Sequence, residues 1–600
     1  MPSENDPERS ALASRFRQMF PILSPAEIDR IRRFGEVRRF QPGEMLCRAG
    51  TPSSGMIVIL SGRAAVVGRD ALGRPFPLAE FAQLFGATVA DIELVAGRIL
   101  DDIAQISGGL SVADVQAVDD VEAIVVPPQR IRALLVADAE LGERILRALM
   151  LRRVALIEMG FGGPVLIGPP RSPDATRLSG FLGRNSIPFR VFDPNEDADA
   201  SSLLARYAPK PAELPIVVLP EGTVLRNPTD QELARALGLV ATNLRSEPYD
   251  VAIVGAGPAG LATAVYAASE GLSVIVLEAL TFGGQAGASA RIENCFGFPA
   301  GISGQALMAR AFTQAQKFGA QFSLSTEVNR LDCITEWSGT DPTLILELND
   351  GRRVRARTVV VATGAHYRRP EIPNLTQFEG RGVSYWASPV EARLCRGEEA
   401  ALVGGGNSAG QAAVYLASHA RHVFLLVRGP GLSQSMSRYL IDRIAACSNV
   451  DVICNTEVVE LSGTADHGLQ RVRWRNRRTG AEEQQTLAHV FVFTGADPAA
   501  TWLAGCGIPL DDKGFIQTGA DVPSPERVLL PLETGVVGIF AIGDVRSGSV
   551  KRVGAAIGEG AAVVAQLHTF LARRGSPATS PRPVEPQSAT GAAVSTASIL

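Results

Sequence analysis

Six hundred residues are too many for a single hydrophobic core, so the chain is expected to divide into three or four domains. A hydrophobic content of 46%, a charged content of 20% and a net charge of −4 describe a globular chain without the basic surface that nucleic acid requires. Apolar runs break well short of the roughly 18 residues of a membrane span, and Met1-Pro2-Ser3-Glu4 has neither the basic nor the apolar region of a secretion signal, so a cytoplasmic protein with no membrane span is expected.

Ser24-Pro25-Ala26-Glu27 opens a short helix, with Ser24 as N-cap, Pro25 at the first helical position and Glu27 closing a capping box. Short strands follow from Val37 to Gly68, broken at Pro42-Gly43, Gly50 and Ser61-Gly62. More strands run to about Pro127, an apolar-periodic helix covers roughly 138–159, and Gly162-Gly163-Pro164 ends the region. With Phe40-Gln41-Pro42-Gly43-Glu44 and Met56 to Gly62, residues 12–160 resemble the β-roll and C-terminal helix of a cyclic-nucleotide-binding domain. That resemblance implies a cyclic phosphate held by a Gly-Glu pair, an Arg and a small-residue turn. Here the matching stretch, Gly97 to Asp114, has Asp101 in place of the glycine, and no Lys or Arg occurs between Arg98 and Arg130. Asp101, Asp102, Asp114, Asp119, Asp120 and Glu122 fill that interval. A phosphodiester among acids without a cation is repelled, so the fold is expected without the nucleotide, with Arg98 as the one candidate cation.

The next β/α unit, 163–242, carries Val165-Leu166-Ile167-Gly168, Pro188 to Asp193, Leu214-Pro215 with Ile216 to Leu219, Gly222 and Asn227 to Asp230. It resembles a glutaredoxin-like domain of the thioredoxin fold, with Pro215 where that family has its cis-proline. The redox turn belongs in 168–176, yet no Cys occurs from 48 to 294, so the unit is expected to be dead as a thiol carrier.

Tyr249 to Val254 is a continuous apolar strand running into Gly255-Ala256-Gly257-Pro258-Ala259-Gly260, then a helical stretch, then a second apolar strand ending in Glu278. This is the context in which a G-x-G-x-x-G loop signals a dinucleotide. Gly255 permits the turn, Gly257 admits a pyrophosphate and Gly260 lets helix and strand close, while Glu278 accepts from the ribose. A second loop, Gly404-Gly405-Gly406-Asn407-Ser408-Ala409, follows strand Ala400 to Val403. The offset from Gly255 to Glu278 lands here on Val427, followed by Arg428. An Arg in place of an acid favours a 2′-phosphate, hence NADPH over NADH, and Arg438 is a candidate second contact.

Gly538-Ile539-Phe540-Ala541-Ile542-Gly543-Asp544 closes the series ahead of a helix near 554–566. From here the chain resembles low-molecular-weight thioredoxin reductases and related pyridine nucleotide–disulfide oxidoreductases over about 247–571. The resemblance implies FAD and NAD(P)H as cofactors and a homodimer. It assigns Asp544 to the flavin ribityl chain and places Gly284-Gln285, Asn294 and Ala362-Thr363-Gly364 beside the flavin, with Lys551-Arg552-Val553 at its pyrimidine end. The fold class expected is multidomain α/β. Two Rossmann-type domains, for FAD (248–366 and 495–572) and NAD(P)H (367–494), follow the β-roll and the thioredoxin-fold unit. The Ser/Thr/Pro/Ala-rich 575–600 reads as a disordered tail.

Thioredoxin reductases carry a C-A-T-C dithiol before the second loop, where this chain has Trp386-Ala387-Ser388-Pro389. Thiol–disulfide exchange needs an attacking thiolate and a resolving thiol, and Trp and Pro supply neither. Seven Cys, at 47, 295, 333, 395, 447, 454 and 506, show no C-x-x-C spacing, and the six His form no H-E-x-x-H, so no metal site is expected. Hydride transfer between dinucleotides needs no protein base, and no catalytic residue is assigned. The leading reading is an NADPH-dependent FAD oxidoreductase that delivers electrons to a small-molecule or protein acceptor other than a disulfide. The alternatives are a disulfide reductase using Cys295 or Cys395 from outside the usual position, and a flavin-binding regulatory protein. Arg471, Arg473, Arg475 and Arg477 alternate around Trp474, either as a solvated strand face or as a dock for an acidic acceptor.

Overall fold

The computed structural model of the chain describes residues 16–66, 94–100, 110–111, 113–160, 162–170, 172–332, 343–464, 468–523 and 527–573. Part of the acidic stretch (101–109), Cys333 and the 575–600 tail lie outside the described residues.

Ser24 caps α1 (Pro25–Arg32) in the reciprocal box the sequence predicts, and Glu27 returns a carboxylate oxygen to the Ser24 N–H at 2.7 Å. Seven strands follow: β1 (Glu36–Phe40), β2 (Met45–Cys47), β3 (Met56–Ser61), β4 (Ala64–Val66), β5 (Ile99–Leu100), β6 (Val115–Ala117) and β7 (Val121–Val126). They form two antiparallel sheets, β1-β7-β3-β5 and β2-β6-β4. Two helices cover one side, α2 (Pro128–Ala137) and α3 (Ala139–Met159), with Ile131, Leu134, Ile145 and Leu149 packed on Met56, Val58 and Ile124. Asp138 divides the helices by capping the Leu141 N–H, so the expected helix is preceded by a second one. Three of the acids are engaged within the protein. Asp119 pairs with Arg63 at 2.9 Å, Glu122 with Arg39 at 3.3 Å, and Asp114 accepts the Ala49 N–H at 2.8 Å. Arg98, the candidate phosphate cation, donates to the Phe20 carbonyl, toward the N-terminal segment.

The next unit contains β8 (Val165–Ile167), α4 (Pro173–Arg184), β9 (Arg190–Phe192), α5 (Ala198–Tyr207), β10 (Ile216–Val218), β11 (Val224–Arg226) and α6 (Asp230–Ala236). The sheet order is β11-β10-β8-β9, with β8 and β9 parallel and β10 antiparallel to β8 and β11. That βαβαββα connectivity is the one the glutaredoxin resemblance implies, and the Leu214–Pro215 peptide is cis.

The large α/β region begins with β12 (Tyr249–Val254), all six residues of which are buried, as a strand covered on both faces requires. It continues through α7 (Pro258–Ser269), β13 (Val274–Leu277), α8 (Gly304–Lys317), β14 (Gln321–Ser323), β15 (Val328–Asp332), β16 (Leu344–Leu348) and β17 (Arg353–Val361). The chain crosses out through β18 (Ala365–Tyr367) to a second sheet, built from β19 (Val383–Ser384), α9 (Pro389–Leu394), β20 (Glu399–Val403), α10 (Asn407–Ala417), β21 (His422–Val427), α11 (Arg438–Ala446) and β22 (Val450–Cys454). An antiparallel meander follows, β23 (Thr456–Thr464), β24 (Gly468–Asn476) and β25 (Glu482–Gln485). Then β26 (His489–Val492) rejoins the second sheet, β27 (Ala496–Pro498) crosses back, and β28 (Ile539–Ala541) and α12 (Val553–Arg573) complete the first sheet's layers. The first sheet runs β14-β13-β12-β17-β16-β15 with β28 beside β17. The second, β19-β26-β20-β21-β22, is wholly parallel. β18 and β27 pair antiparallel, and Arg368 meets Asp497 at 2.6 Å, so the two linkers form one two-stranded joint.

By length and composition α12 is apolar enough to cross a membrane. Here it packs against α7 and buries Gly560, Val563, Val564, Leu567 and Phe570 in the core that also holds Ala259, Leu261 and Val276.

One charged pair lies inside this core. Asp250 accepts the Ser273 N–H at 2.9 Å and hydroxyl at 2.7 Å, and the Arg357 guanidinium at 2.9 Å. Burial pushes the Asp250 carboxyl up, but Ser273 and Arg357 outweigh it and hold it below the usual range. Asp250→Ala leaves Arg357 without this carboxylate and is expected to cost about 3 kcal/mol or more at pH 7, read by urea unfolding. A lowered folded-state pKa stabilises above the unfolded value of about 3.9 and is lost as pH falls through the folded value. The gap between parent and variant therefore holds across neutral pH and closes only in acid.

Candidate functional site

The first loop is built from positions that exclude a side chain. Gly255 has φ +108°, and a Cβ there would stand 2.3 Å from the Ala362 carbonyl oxygen; one on Gly260 would stand 1.9 Å from that of Gly255. A Cβ on Gly257 meets nothing within 4 Å, so open space lies directly ahead of α7. Ser24, Ser172, Thr229 and Ser303 cap their helices with a hydroxyl, whereas Gly257 leaves the first-turn donors of α7 without a side-chain cap. Pro258 opens the helix, where its missing N–H costs nothing, and Ala259 is buried beneath the loop. Glu278, at the end of β13, accepts the Ala256 N–H at 2.7 Å and the Leu280 N–H at 2.9 Å, and burial raises its pKa. The acid assigned to the ribose thus also ties the loop to its own strand.

The other flavin-side residues gather around this loop. A Cβ on Gly284 would lie 3.1 Å from Gly257 Cα, so the 284–287 turn covers the loop, and Gln285 donates to the Ala365 carbonyl. Ala362 continues β17 by donating to Val254 at 2.8 Å. Thr363 donates to Ala499 at 2.7 Å, and Gly364 accepts from Ala499 at 3.0 Å with open space at its Cβ. Asn294 is exposed on the segment whose Glu293 pairs with Arg443 of α11. Gly543 sits against Ala259 and donates to Glu559 at 2.6 Å. Burial raises the Asp544 pKa against the opposing charge of Lys551, and among the described residues no hydrogen bond reaches its carboxylate. Lys551 donates instead to the Asp544 backbone carbonyl at 2.6 Å and stands over Phe515. The Arg552 N–H donates to Val550 at 2.7 Å, and Val553 begins α12. Open space ahead of uncapped donors and a half-buried carboxylate without a protein donor are what a dinucleotide with a hydroxylated chain would satisfy. These residues fit FAD.

The second loop repeats the plan. Gly404 has φ +149°, and its Cβ would lie 2.5 Å from the Phe493 carbonyl oxygen; Gly406 opens α10 without a side-chain cap and faces open space. Asn407 accepts the Ser437 N–H at 2.7 Å, Ser435 donates to Gly405 at 2.7 Å, and Ala409 is buried. Ser408 lies beside the Tyr367 hydroxyl, whose pKa burial raises and whose surroundings include the Asp544 charge. The second loop therefore faces the first region. Arg428 follows β21, exposed and without an ion pair among the described residues. Arg438, the candidate second contact, instead pairs with Asp442 at 2.8 Å. Ser435, Glu559 and Tyr367 were not identified from sequence, because each acts through a contact remote along the chain.

At the dithiol position the chain forms a helix cap. Ser388 N–H and Trp386 Nε1 each donate to Glu391 at 3.0 Å, and the Ser388 hydroxyl bonds the same carboxylate, at the start of α9. Cys395, one turn on, is buried, with its thiol pushed up to about 12 by burial and then by Glu398 and Glu391. Burial also raises the Cys295 thiol. In the arginine stripe, Arg473 pairs with Glu460 and Glu482, and Arg475 and Arg477 with Glu457, so most of that face is neutralised.

Residues 249–560, just over half of the chain, match the family described as pyridine nucleotide-disulphide oxidoreductase, and residues 37–138 match the cyclic nucleotide-binding domain. A thioredoxin reductase of Peptoclostridium litorale is 30% identical over 329 residues, covering 54% of this chain and 97% of its own length. The NADPH-dependent thioredoxin reductase 3 of Arabidopsis thaliana is 30% identical over 363 residues, covering 58% of this chain and 65% of its own. Among solved structures, a Lactococcus lactis thioredoxin reductase is 28% identical, with a TM-score of 0.49, over 54% of this chain and 99% of its own.

A thiol that titrates near 12 is almost wholly protonated at neutral pH, and the thiolate is the species that reacts. Iodoacetamide applied to the folded protein at pH 7.5 is expected to leave Cys395 unmodified, as read by peptide mass spectrometry, until urea exposes it.

Proposed function

We propose that this chain, which belongs to the pyridine nucleotide-disulphide oxidoreductase family, is an NADPH-dependent FAD oxidoreductase whose electrons pass to an acceptor other than a disulfide. The observation that carries the reading is the cap at 386–391, where Trp386 and Ser388 engage Glu391 in place of a thiol pair. FAD, when bound, would supply the redox chemistry of hydride acceptance and electron release.

The chain's residues bind and orient. The uncapped start of α7 would offer its N–H donors to the FAD pyrophosphate, Glu278 would accept from the adenosine ribose and Asp544 from the ribityl chain, while the Gly284-Gln285 turn and Ala362-Thr363-Gly364 would close around the flavin. The start of α10 receives the second pyrophosphate, and Arg428 selects the 2′-phosphate. With no relay dithiol, the acceptor must reach the flavin edge itself, which suits a quinone, oxygen or an iron–sulfur protein. The buried Cys395 counts against the disulfide-reductase alternative.

Anaerobic mixing with NADPH is expected to bleach the flavin absorbance in a single phase, and a quinone is expected to restore it. Cys295→Ser and Cys395→Ser should leave both steps intact; loss of turnover in either variant would favour the thiol route. A charged hydrogen bond is worth about 1.5–3 kcal/mol, so Arg428→Ala should lower the apparent second-order rate constant for NADPH by about 10- to 100-fold. The constant for NADH should move by less than about twofold on the same argument, because NADH has no 2′-phosphate to lose.

A further inference from the structure

Helix α4 ends in a turn, residues 183–186, that touches each of the other units. Arg153 of α3 donates to the Ser186 carbonyl at 3.1 Å, and Gln305 of α8 donates to the Gly183 carbonyl. Between these two anchors, the Arg184 guanidinium lies 4.9 Å from the centroid of the Trp386 ring, in the helix cap at the dithiol position. Helices α4 and α9 pack together there. Arg184 Nε is held by the Gly180 carbonyl at 3.1 Å, and the Trp386 ring is held by Glu391, so both partners are fixed before they meet. The cation stands within electrostatic reach of Glu391, on the nicotinamide side, and of Glu278, on the FAD side.

Those anchors bear on how the two Rossmann-type sheets sit. Their covalent joint is the pair of three-residue strands β18 and β27, and further ties across it include the Ser408–Tyr367 contact and the partly exposed Arg443–Glu293 pair. Exposed pairs of that kind hold weakly. A cation stacked on a part-buried indole, carried by a turn bonded to two other units, adds a further brace.

We infer that Arg184 is a positioning residue for electron transfer from NADPH: stacked on Trp386, it holds the nicotinamide domain in the orientation that sets the second glycine-rich loop against the FAD domain. The inference rests on the function proposed above. It gives the Cys-free unit a mechanical part, as the strut through which α4 reaches α9.

The test uses the full-length chain loaded with FAD and the variants Arg184→Met, Trp386→Leu and their combination. In Arg184→Met the limiting rate of flavin reduction under saturating NADPH falls by about fivefold or more, while FAD content and the half-saturating NADPH concentration stay within about twofold of the parent. Trp386→Leu gives a similar loss, and the double variant is no slower than the slower single one, because both remove one contact. Hydrogen exchange without NADPH needs no turnover: amides of 386–395 lose protection in Arg184→Met, while those of β12 keep theirs. Parental reduction rates with 386–395 still protected would overturn the inference. So would a variant that sheds FAD or shifts NADPH half-saturation instead of the limiting rate, since that pattern marks a general structural role. If NADPH fails to reduce the parent, the proposed function falls, and the exchange data alone decide whether Arg184 braces the domain.

Discussion

Backbone lies against backbone at both nucleotide loops, and the rest of this half of the molecule follows from that closeness. A Cβ at Gly260, Gly255, Gly404 or Gly560 would come within 1.9 to 2.5 Å of a carbonyl oxygen of the neighbouring segment. Without side chains there, α7 can start directly at the carboxyl end of β12, and α12 can lie flush on α7 with Gly560 against Ala259. Parallel strands end at a common edge, so β12, β13, β17 and β28 deliver Gly255, Glu278, Thr363 and Asp544 to one place, although these residues span nearly 300 positions of sequence. Helix donors without a cap and a carboxylate without a protein donor are costly to leave unsatisfied, which is why their convergence describes a ligand's outline.

The second constraint is chemical. Where relatives of this fold hold a dithiol, Glu391 collects Trp386, Ser388 N–H and the Ser388 hydroxyl, and the segment becomes the start of a helix. A capped helix start is a stable element with no redox chemistry. Burial and two nearby carboxylates disfavour the ionised form of the neighbouring Cys395 thiol.

Ahead of the redox half, both front units are held by internal contacts. The β-roll keeps its two sheets and its helical cover while Asp114, Asp119 and Glu122 bond within the roll and Arg98 bonds Phe20. The thioredoxin-like sheet keeps its strand order without a cysteine, and its α4 turn joins its neighbours.

Much of this was legible in the amino-acid order because it depends on neighbours along the chain. Glycine spacing, the buried runs of β12 and β20, the acid after β13, the Arg after β21 and the loss of two thiols are all local facts. Local facts determine which loops can cradle a phosphate and which residues stand where the resemblance places thiols. What only the tertiary structure decided are pairings between distant side chains: Arg438 with Asp442 rather than free, Glu559 holding Gly543, Tyr367 meeting Ser408, and Arg184 resting on Trp386. A side chain's partner is set by which surfaces the packed core brings together, and no periodicity or spacing along one segment encodes the face that another segment, hundreds of residues away, will present to it.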